Sequence, residues 1–393
     1  MYCSTVERED FLRRVEEALS SAAAAVPITR LFVNDKHVPD PDNTWAQFHH
    51  PLDLVAAAIS AAAARHVEEL HAETDGYRTG RSLILASLSS SRVLRLLRVV
   101  GFGSSPMAAT PPAATAAAGG GGFFLPMLVE IHLHKCSVFL ADLQTTIDAA
   151  PKLATLRIES STISYQIGSS YNRLNCPGVT DLAFEDCRFH KDFRFQKDER
   201  SLEFDVPGLK YFSYKGAIQF CSEFSLKSSS LRTATTLSNM IRADLHLNND
   251  YSYTYTRKVY LPSLFWQLIQ NFSAAKVLRI KMDGFSMDAV APFGTSTLFH
   301  RLERLELDAQ YKPTSEAWME MEERLELDSQ YSKASMETLA SLLHCCPVLR
   351  DIRLKLSKDM STTSSIDQVA RADFDKSGRS LQALQKANAF IIG

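Results

Sequence analysis

A nine-residue module recurs down the chain, and it constrains the fold more than any single residue does. Leu128-x-x-Ile131-x-Leu133-x-x-Cys136 returns as Leu153, Leu156, Ile158 and Ser161, and again as Val179, Leu182, Phe184 and Cys187. Weaker copies are Leu209, Phe212, Tyr214, Ala217; Leu302, Leu305, Leu307, Gln310; and Leu349, Ile352, Leu354, Ser357. The fourth and sixth positions are apolar and alternate with polar neighbours, as in a strand buried on one face. One copy cannot bury those groups by itself, so neighbouring copies must stack and share a core.

First positions Leu128, Leu153, Val179 and Leu209 follow one another at steps of roughly 25–30 residues, at or just beyond the leucine-rich-repeat range. The pattern predicts an α/β leucine-rich-repeat solenoid: a curved parallel sheet with helices and loops on its convex side. Parallel strands need crossover connections of a dozen or more residues, and these steps supply them. Leu133, Ile158, Phe184, Tyr214, Leu307 and Leu354 are expected to be buried in register. Pro126, Pro151, Pro177, Pro207 and Pro347 each stand two residues before a first apolar position. There they end the preceding segment and force an extended approach to the strand. Helical spacing over Ala141–Ala150, Leu261–Asn271 and Ser335–Cys346 supplies the convex layer.

Four regions follow. Residues 1–102 hold an N-terminal helix, opened by a Ser4/Glu7 capping box, and first irregular repeats at Ile28-x-x-Leu31-x-Val33, Val67-x-x-Leu70-x-Ala72 and Leu94-x-x-Leu97-x-Val99. Residues 103–124 form an Ala/Gly/Pro-rich flexible insertion, too poor in large apolar groups to offset its ordering entropy. Residues 125–357 are the main repeat region, and 358–393 a polar C-terminal tail. Within the third region, Arg304-Leu305-Glu306-Leu307-Asp308 is nearly duplicated as Arg324-Leu325-Glu326-Leu327-Asp328. That copy is either an added repeat or a duplication looped out of a complete solenoid.

The 393 residues are 45% hydrophobic and carry a net charge of −2, which describes a globular chain with no concentrated basic face for nucleic acid. Its seven cysteines are odd in number and include the neighbours Cys345 and Cys346. Buried thiols in the reducing cytoplasm or nucleus are expected rather than a disulfide framework. No signal peptide or membrane-length apolar run is recognisable, so no membrane role is expected.

Isolated constellations give no site chemistry. His132-x-His134 with Cys136 has metal-ligand residue types, but Cys136 occupies a buried module position facing away from both histidines. Asp373-x-Asp375-x-Ser377-Gly378 opens like a calcium loop but has Leu384 at the twelfth position in place of the bidentate Glu. Gly101-Phe102-Gly103 lacks the remaining glycine of a dinucleotide site. Tyr251, Tyr253 and Tyr255 form either an aromatic contact stripe or an edge strand. Phe189, Phe193 and Phe195 anchor a long loop. No catalytic set stands out, and no enzyme activity, cofactor or metal is expected.

Strand side chains alternate faces, so the third, fifth and seventh module positions point out of the concave sheet. They include Glu130, His132 and His134; Arg157 and Glu159; Asp181 and Glu185; and Tyr211 and Lys215. Arg279 and Lys281, Arg304 and Glu306, and Arg353 follow. Both charge signs mixed with His and Tyr suit a polar protein or peptide partner better than an apolar ligand.

Leu125-Pro126-Met127-Leu128-Val129-Glu130-Ile131-His132-Leu133, Ala150-Pro151-Lys152-Leu153-Ala154-Thr155-Leu156-Arg157-Ile158 and Cys176-Pro177-Gly178-Val179-Thr180-Asp181-Leu182 resemble the plant F-box/leucine-rich-repeat proteins. So does Phe265–Leu278, which is similar to that family's late helix and following strand. The resemblance covers the repeat region and implies recognition of a protein substrate for a cullin–RING ubiquitin ligase. The family's F-box opens with a Leu-Pro dipeptide and closes near a Trp, and no such segment is found in this chain. Contact with the cullin adaptor is therefore expected only if an F-box exists upstream. The alternative is an F-box-less binding protein with no ligase role.

Overall fold

The strand of each module begins at its third position, where amides reach back to the module before. In the computed structural model of the protein, the N–H groups of Ala154 and Thr155 both donate to Val129 O, and those of Thr180 and Asp181 to Ala154 O. Arg350 and Asp351 share Glu303 O in the same way. Ahead of the strand the proline stands inside a hydrogen-bonded turn: Leu128 N–H donates to Leu125 O, Leu153 to Ala150 O, Val179 to Cys176 O and Leu209 to Val206 O. The extended approach expected of these prolines is thus a β-turn, with proline at the second position where its fixed φ is already suitable.

The structure describes residues 13, 14, 17, 28–35, 66–74, 92–102, 124–165, 173–191, 202–217, 224–227, 239–248, 265, 268–283, 299–311, 345–358 and 390–392. They belong to two compact units, residues 1–200 and 201–393. The expectations for residues 103–123, Phe193, Phe195, Tyr251–Tyr255, the second duplicate copy, Ser335–His344 and Asp373–Leu384 lie outside the described residues. Arg13, Arg14 and Glu17 are helical, as the first helix requires.

The first unit contains β1 (Arg30–Asp35), β2 (Glu69–Thr74), β3 (Leu96–Val100), β4 (Glu130–His134), β5 (Ser137–Phe139), helix α1 (Leu140–Ala149), β6 (Thr155–Glu159), β7 (Thr162–Tyr165), β8 (Arg173–Asn175), β9 (Asp181–Glu185) and β10 (Arg188–Lys191). Its main sheet runs β1-β2-β3-β4-β6-β9, each adjacent pair parallel. Leu133, Ile158 and Phe184 stand opposite one another and are fully buried. Helix α1 buries Leu140, Leu143, Thr146 and Ile147 at helical spacing. Gln144 then ties it to β8, donating to Asn175 O at 3.1 Å and accepting the Asn175 N–H at 2.7 Å.

Beyond the sheet strand, four consecutive modules turn sharply at position eight. Gly101, Lys135, Ser160 and Asp186 have φ of 78°, 52°, 48° and 50°. At Gly101 only glycine fits, because an added Cβ would lie 1.9 Å from Thr74 O. After the kinks at Lys135, Ser160 and Asp186 the chain enters a second parallel sheet, β10-β7-β5, which the module spacing did not announce. The far side of this unit therefore carries strands as well as a helix. Phe189 lies in that sheet rather than on a loop, buried edge-on against Phe184 at 5.9 Å between ring centres.

The ninth positions close the kink. Cys136 Sγ lies 3.5 Å from Val99 O, and Cys187 Sγ lies 3.0 Å from Ile158 O, each in the preceding strand. Between them, Ser161 Oγ accepts the Cys136 N–H at 2.9 Å and donates to Glu159 O at 2.7 Å. Burial pushes the Cys136 thiol up to about 11 and the Cys187 thiol to about 12, so both stay protonated donors.

The second unit contains β11 (Leu202–Asp205), β12 (Tyr211–Ala217), β13 (Phe224–Lys227), β14 (Arg242–Asn248), β15 (Val277–Asp283), β16 (Arg304–Tyr311), β17 (Asp351–Lys358) and β18 (Phe390–Ile392). Its main sheet runs β12-β14-β15-β16-β17-β18, again with each adjacent pair parallel, and β11 pairs with β13. Tyr214, Leu245, Ile280, Leu307 and Leu354 share one register line, and the first four are buried. Tyr214 keeps its hydroxyl satisfied by donating to Ala217 O at 2.9 Å. Phe265 and Leu268–Gln270 are helical and lead through a turn into β15, as their spacing predicts. β16 pairs directly with β17 from Arg304↔Asp351 to Tyr311↔Lys358. Among the described residues, no other strand of that sheet stands between them.

Candidate functional site

Side-chain alternation divides each strand cleanly. In β4 Ile131 and Leu133 go inward while Glu130, His132 and His134 stay on the open face; β6 and β9 repeat this with Thr155, Arg157, Glu159 and Asp181, Ala183, Glu185. Parallel register turns these outward positions into rows. In the first unit the middle row is Phe32, His71, Arg98, His132, Arg157, Ala183. One flanking row carries Glu69, Glu130 and Asp181, and the other carries Glu73, Glu159 and Glu185. A basic and aromatic centre is thus bordered by carboxylates on both sides.

Seven of the anticipated outward residues, Glu130, His132, His134, Arg157, Glu159, Asp181 and Glu185, come together on adjacent strands of this sheet. The other seven lie in the second unit: Tyr211 and Lys215 on β12, Arg279 and Lys281 on β15, Arg304 and Glu306 on β16, and Arg353 on β17. Sequence reasoning recognised the modules of β1 to β3 but did not carry forward their outward residues Phe32, Glu69, His71, Glu73 and Arg98. It missed β14 altogether, with Arg242, Asp244 and His246 on its open face. Met240 and Ala243 fill the leucine positions there, and only the alternation through Leu245 and Leu247 signals a strand.

The two faces handle charge differently. In the second unit opposite charges pair side by side: Arg242 Nε with Asp244 at 2.9 Å, Arg304 Nε with Asp351 at 2.7 Å, and Arg279 and Arg353 with Glu306 at 3.7 and 3.6 Å. Exposed pairs of this kind contribute only about 0–1 kcal/mol each. Their consequence is that a ligand must displace an existing partner to reach most of these charges. In the first unit Arg30 pairs with Glu69 at 2.9 Å, and Glu159 holds His132 and His134 at 3.1 and 3.5 Å. Among the described residues, Arg98, Arg157, Glu130 and Glu185 have no ion-pair partner.

Both histidine contacts to Glu159 lack hydrogen-bond alignment, leaving His132 Nε2 and His134 Nδ1 without a hydrogen-bond partner, as is His71 Nε2. Burial lowers the His71 pKa, helped by Arg98 and His132 and opposed by Glu73. Burial also lowers that of His134, with Lys135 adding to the effect and Glu159 opposing it. The metal-like triplet separates in space: Cys136 faces the core against Val99 O while His132 and His134 look out. Among the described residues no three His, Cys, Asp or Glu side chains converge on a point.

A hollow of about 400 Å³ opens on the first unit's face over β1 to β4, walled by Phe32, His71, Glu69, Arg98, Glu130 and His132, with Leu96 beneath. Phe32 is 56% exposed and meets the His71 ring edge-on at 4.5 Å.

No family model matches the chain, and neither does any curated protein. Among solved structures, an internalin (inlF) from Listeria monocytogenes str. 4b F2365 is similar over 90% of this chain and 95% of its own, with 11% identity and a TM-score of 0.27. At that overlap it supports no statement about function, and the leucine-rich-repeat architecture stands on the ladders and ninth-position hydrogen bonds themselves.

Proposed function

We propose that the protein is a non-enzymatic binding scaffold that holds a polar protein segment on the open face of its first unit. The observation that carries this is the row pattern: a central line of Arg98, His132 and Arg157 between acidic rows, with four of the charges left without ion-pair partners. Unpaired charges of both signs in fixed register, the arginines exposed and the glutamates half-buried, favour a partner with complementary charge and discriminate against partners without it. Three buried thiols offer no alternative chemistry. Burial pushes Cys136, Cys187 and Cys346 up to about 11 to 12, so none of these three presents a thiolate as a nucleophile.

The finer reading is that the captured protein is a substrate for ubiquitination, in the cytoplasm or nucleus where free thiols persist. Its support is the resemblance of the Leu125–Leu133, Ala150–Ile158 and Cys176–Leu182 segments to the plant F-box/leucine-rich-repeat proteins. The competing reading is a binder with no ligase role, favoured by the lack of a recognisable F-box among these residues.

Two measurements test these levels separately. Charge reversal at Arg157 together with Glu185, introduced as R157E and E185K, should abolish capture of partners identified with the wild-type chain while leaving its melting curve unchanged. Capture that survives those reversals but is lost on mutating α1 would move the site off this face. In a pull-down with purified cullin adaptor, this chain alone should show no stoichiometric binding; direct binding would establish an adaptor site within these residues.

A further inference from the structure

We infer that the hollow over β1 to β4 recognises a short bipolar peptide segment, with one apolar side chain flanked by an acidic and a basic one. This rests on the scaffold reading above and names the chemistry of its partner. Leu96 is the one apolar residue in its row, standing between Glu69 and Glu130 in direct register. It is only half-buried, so its isobutyl group forms the floor of the hollow. Phe32 supplies an exposed aromatic wall, held in place by its edge contact with His71. An apolar side chain of a partner would cover both.

The charges decide what must flank it. Glu69 is already engaged by Arg30 at 2.9 Å. That leaves Glu130 on one side of Leu96 and Arg98 further along the same strand, neither in an ion pair among the described residues. Neighbouring parallel strands lie about 4.8 Å apart and alternate residues about 6.6 Å apart. Leu96, Glu130 and Arg98 therefore mark a triangle that alternate side chains of one extended segment can match. A ligand of one charge sign would satisfy one of these groups and be repelled by the other. The volume of about 400 Å³ accommodates a few side chains rather than a folded domain.

A random heptapeptide display library selected on the full chain tests this, with enriched peptides synthesised and their affinities measured by fluorescence anisotropy. Enriched sequences should combine an acidic, an apolar and a basic residue within a short window. Arg98→Glu and Glu130→Lys should each weaken them about tenfold. The double exchange R98E/E130K should prefer peptides whose acidic and basic residues have been swapped. Peptides of a single charge sign, or affinities unchanged by both single variants, would overturn the inference. If such peptides are instead lost on R157E with E185K, the open face remains the binding site and only the hollow is wrong. If neither pair of substitutions matters, the scaffold reading falls with it.

Discussion

Four modules of the first unit and five of the second share one pattern but finish its strand in opposite ways. In the first unit β3, β4, β6 and β9 stop at position seven, and Gly101, Lys135, Ser160 and Asp186 at position eight swing into left-handed backbone. In the second unit β12, β14, β15, β16 and β17 run on through positions eight and nine. Position eight accounts for the difference in β14 and β15. In the kinked modules it is Gly101, Lys135, Ser160 or Asp186, whereas in β14 and β15 Leu247 and Met282 continue the inward alternation and are buried; β12 runs straight past Gly216. The kink has a consequence for packing: the chain turns early enough for Val138, Ile163 and Phe189 to build a second sheet behind the first. In β14 and β15 the straight strand instead adds a third inward side chain, Leu247 or Met282, to the main core.

The largest test of that contrast is a truncation at position eight. Leu247→Ala removes a fully buried side chain and should cost about 2–5 kcal/mol in chemical denaturation. Ser160→Ala, at the same module position in a kinked copy, should shift stability by less than about 0.5 kcal/mol, as for an exposed surface residue. Equal losses would mean that position eight is not what separates the units.

The ninth position gives the next effect. Ser161→Ala leaves the buried Cys136 N–H without its acceptor and should cost about 1–3 kcal/mol. Ala217→Ser in the straight β12 should gain nothing comparable, because there the strand continues through position nine in the ladder with β14. Hydrogen exchange at the Cys136 amide would report the loss directly, and an unchanged protection factor would show the bond to be dispensable.

Glycine substitutions should then give opposite signs in the two units. Lys135→Gly, Ser160→Gly and Asp186→Gly each relieve a left-handed conformation that costs a non-glycine residue about 1–2 kcal/mol. Part of that gain is offset by the greater freedom of glycine in the unfolded chain. A net stabilisation of up to about 1 kcal/mol is expected, against a clear loss for Leu247→Gly. Destabilisation at all three kinked sites would mean that their side chains matter more than their backbone.

How far such contrasts could be read in advance follows from what the module records. Its apolar fourth and sixth positions announced the parallel register, because burial on one face with period two leaves few alternatives. The outward rows followed for Glu130 to Glu185 because those strands are flanked by clear turns. β14 stayed hidden because Met240 and Ala243 bury as well as leucine but do not look like it. The second sheet was hidden differently. Val138, Ile163 and Phe189 recur two residues past position nine, a signal visible only once the copies are aligned beyond the module's edge. The hollow was not legible at all: it needs Phe32, Leu96, Arg98 and Glu130 from three distant modules, brought together only by stacking.

The smallest expected effect concerns acid, and it too separates the units. His71 and His134 have pKa values below the ordinary histidine value, chiefly because burial disfavours the charged ring. As pH falls from neutral through about 6.5, the unfolded chain takes up protons at these positions before the folded one does. Stability then drops with falling pH, and levels off once the folded rings protonate as well. Arg98, Lys135 and His132 strengthen the shifts, while Glu73 and Glu159 weaken them, so the net slope should be shallow. Acidification from pH 7.5 to 5.5 should therefore raise amide exchange, corrected for intrinsic rate, more in β2 to β4 than in β14 to β16. Replacing both rings, as His71→Gln with His134→Gln, should flatten that dependence without altering the second unit. A wild-type profile equal in both sheets, or one unchanged in the double variant, would detach acid sensitivity from the histidine row. The open face of the first unit would then be set apart by its unpaired charges alone.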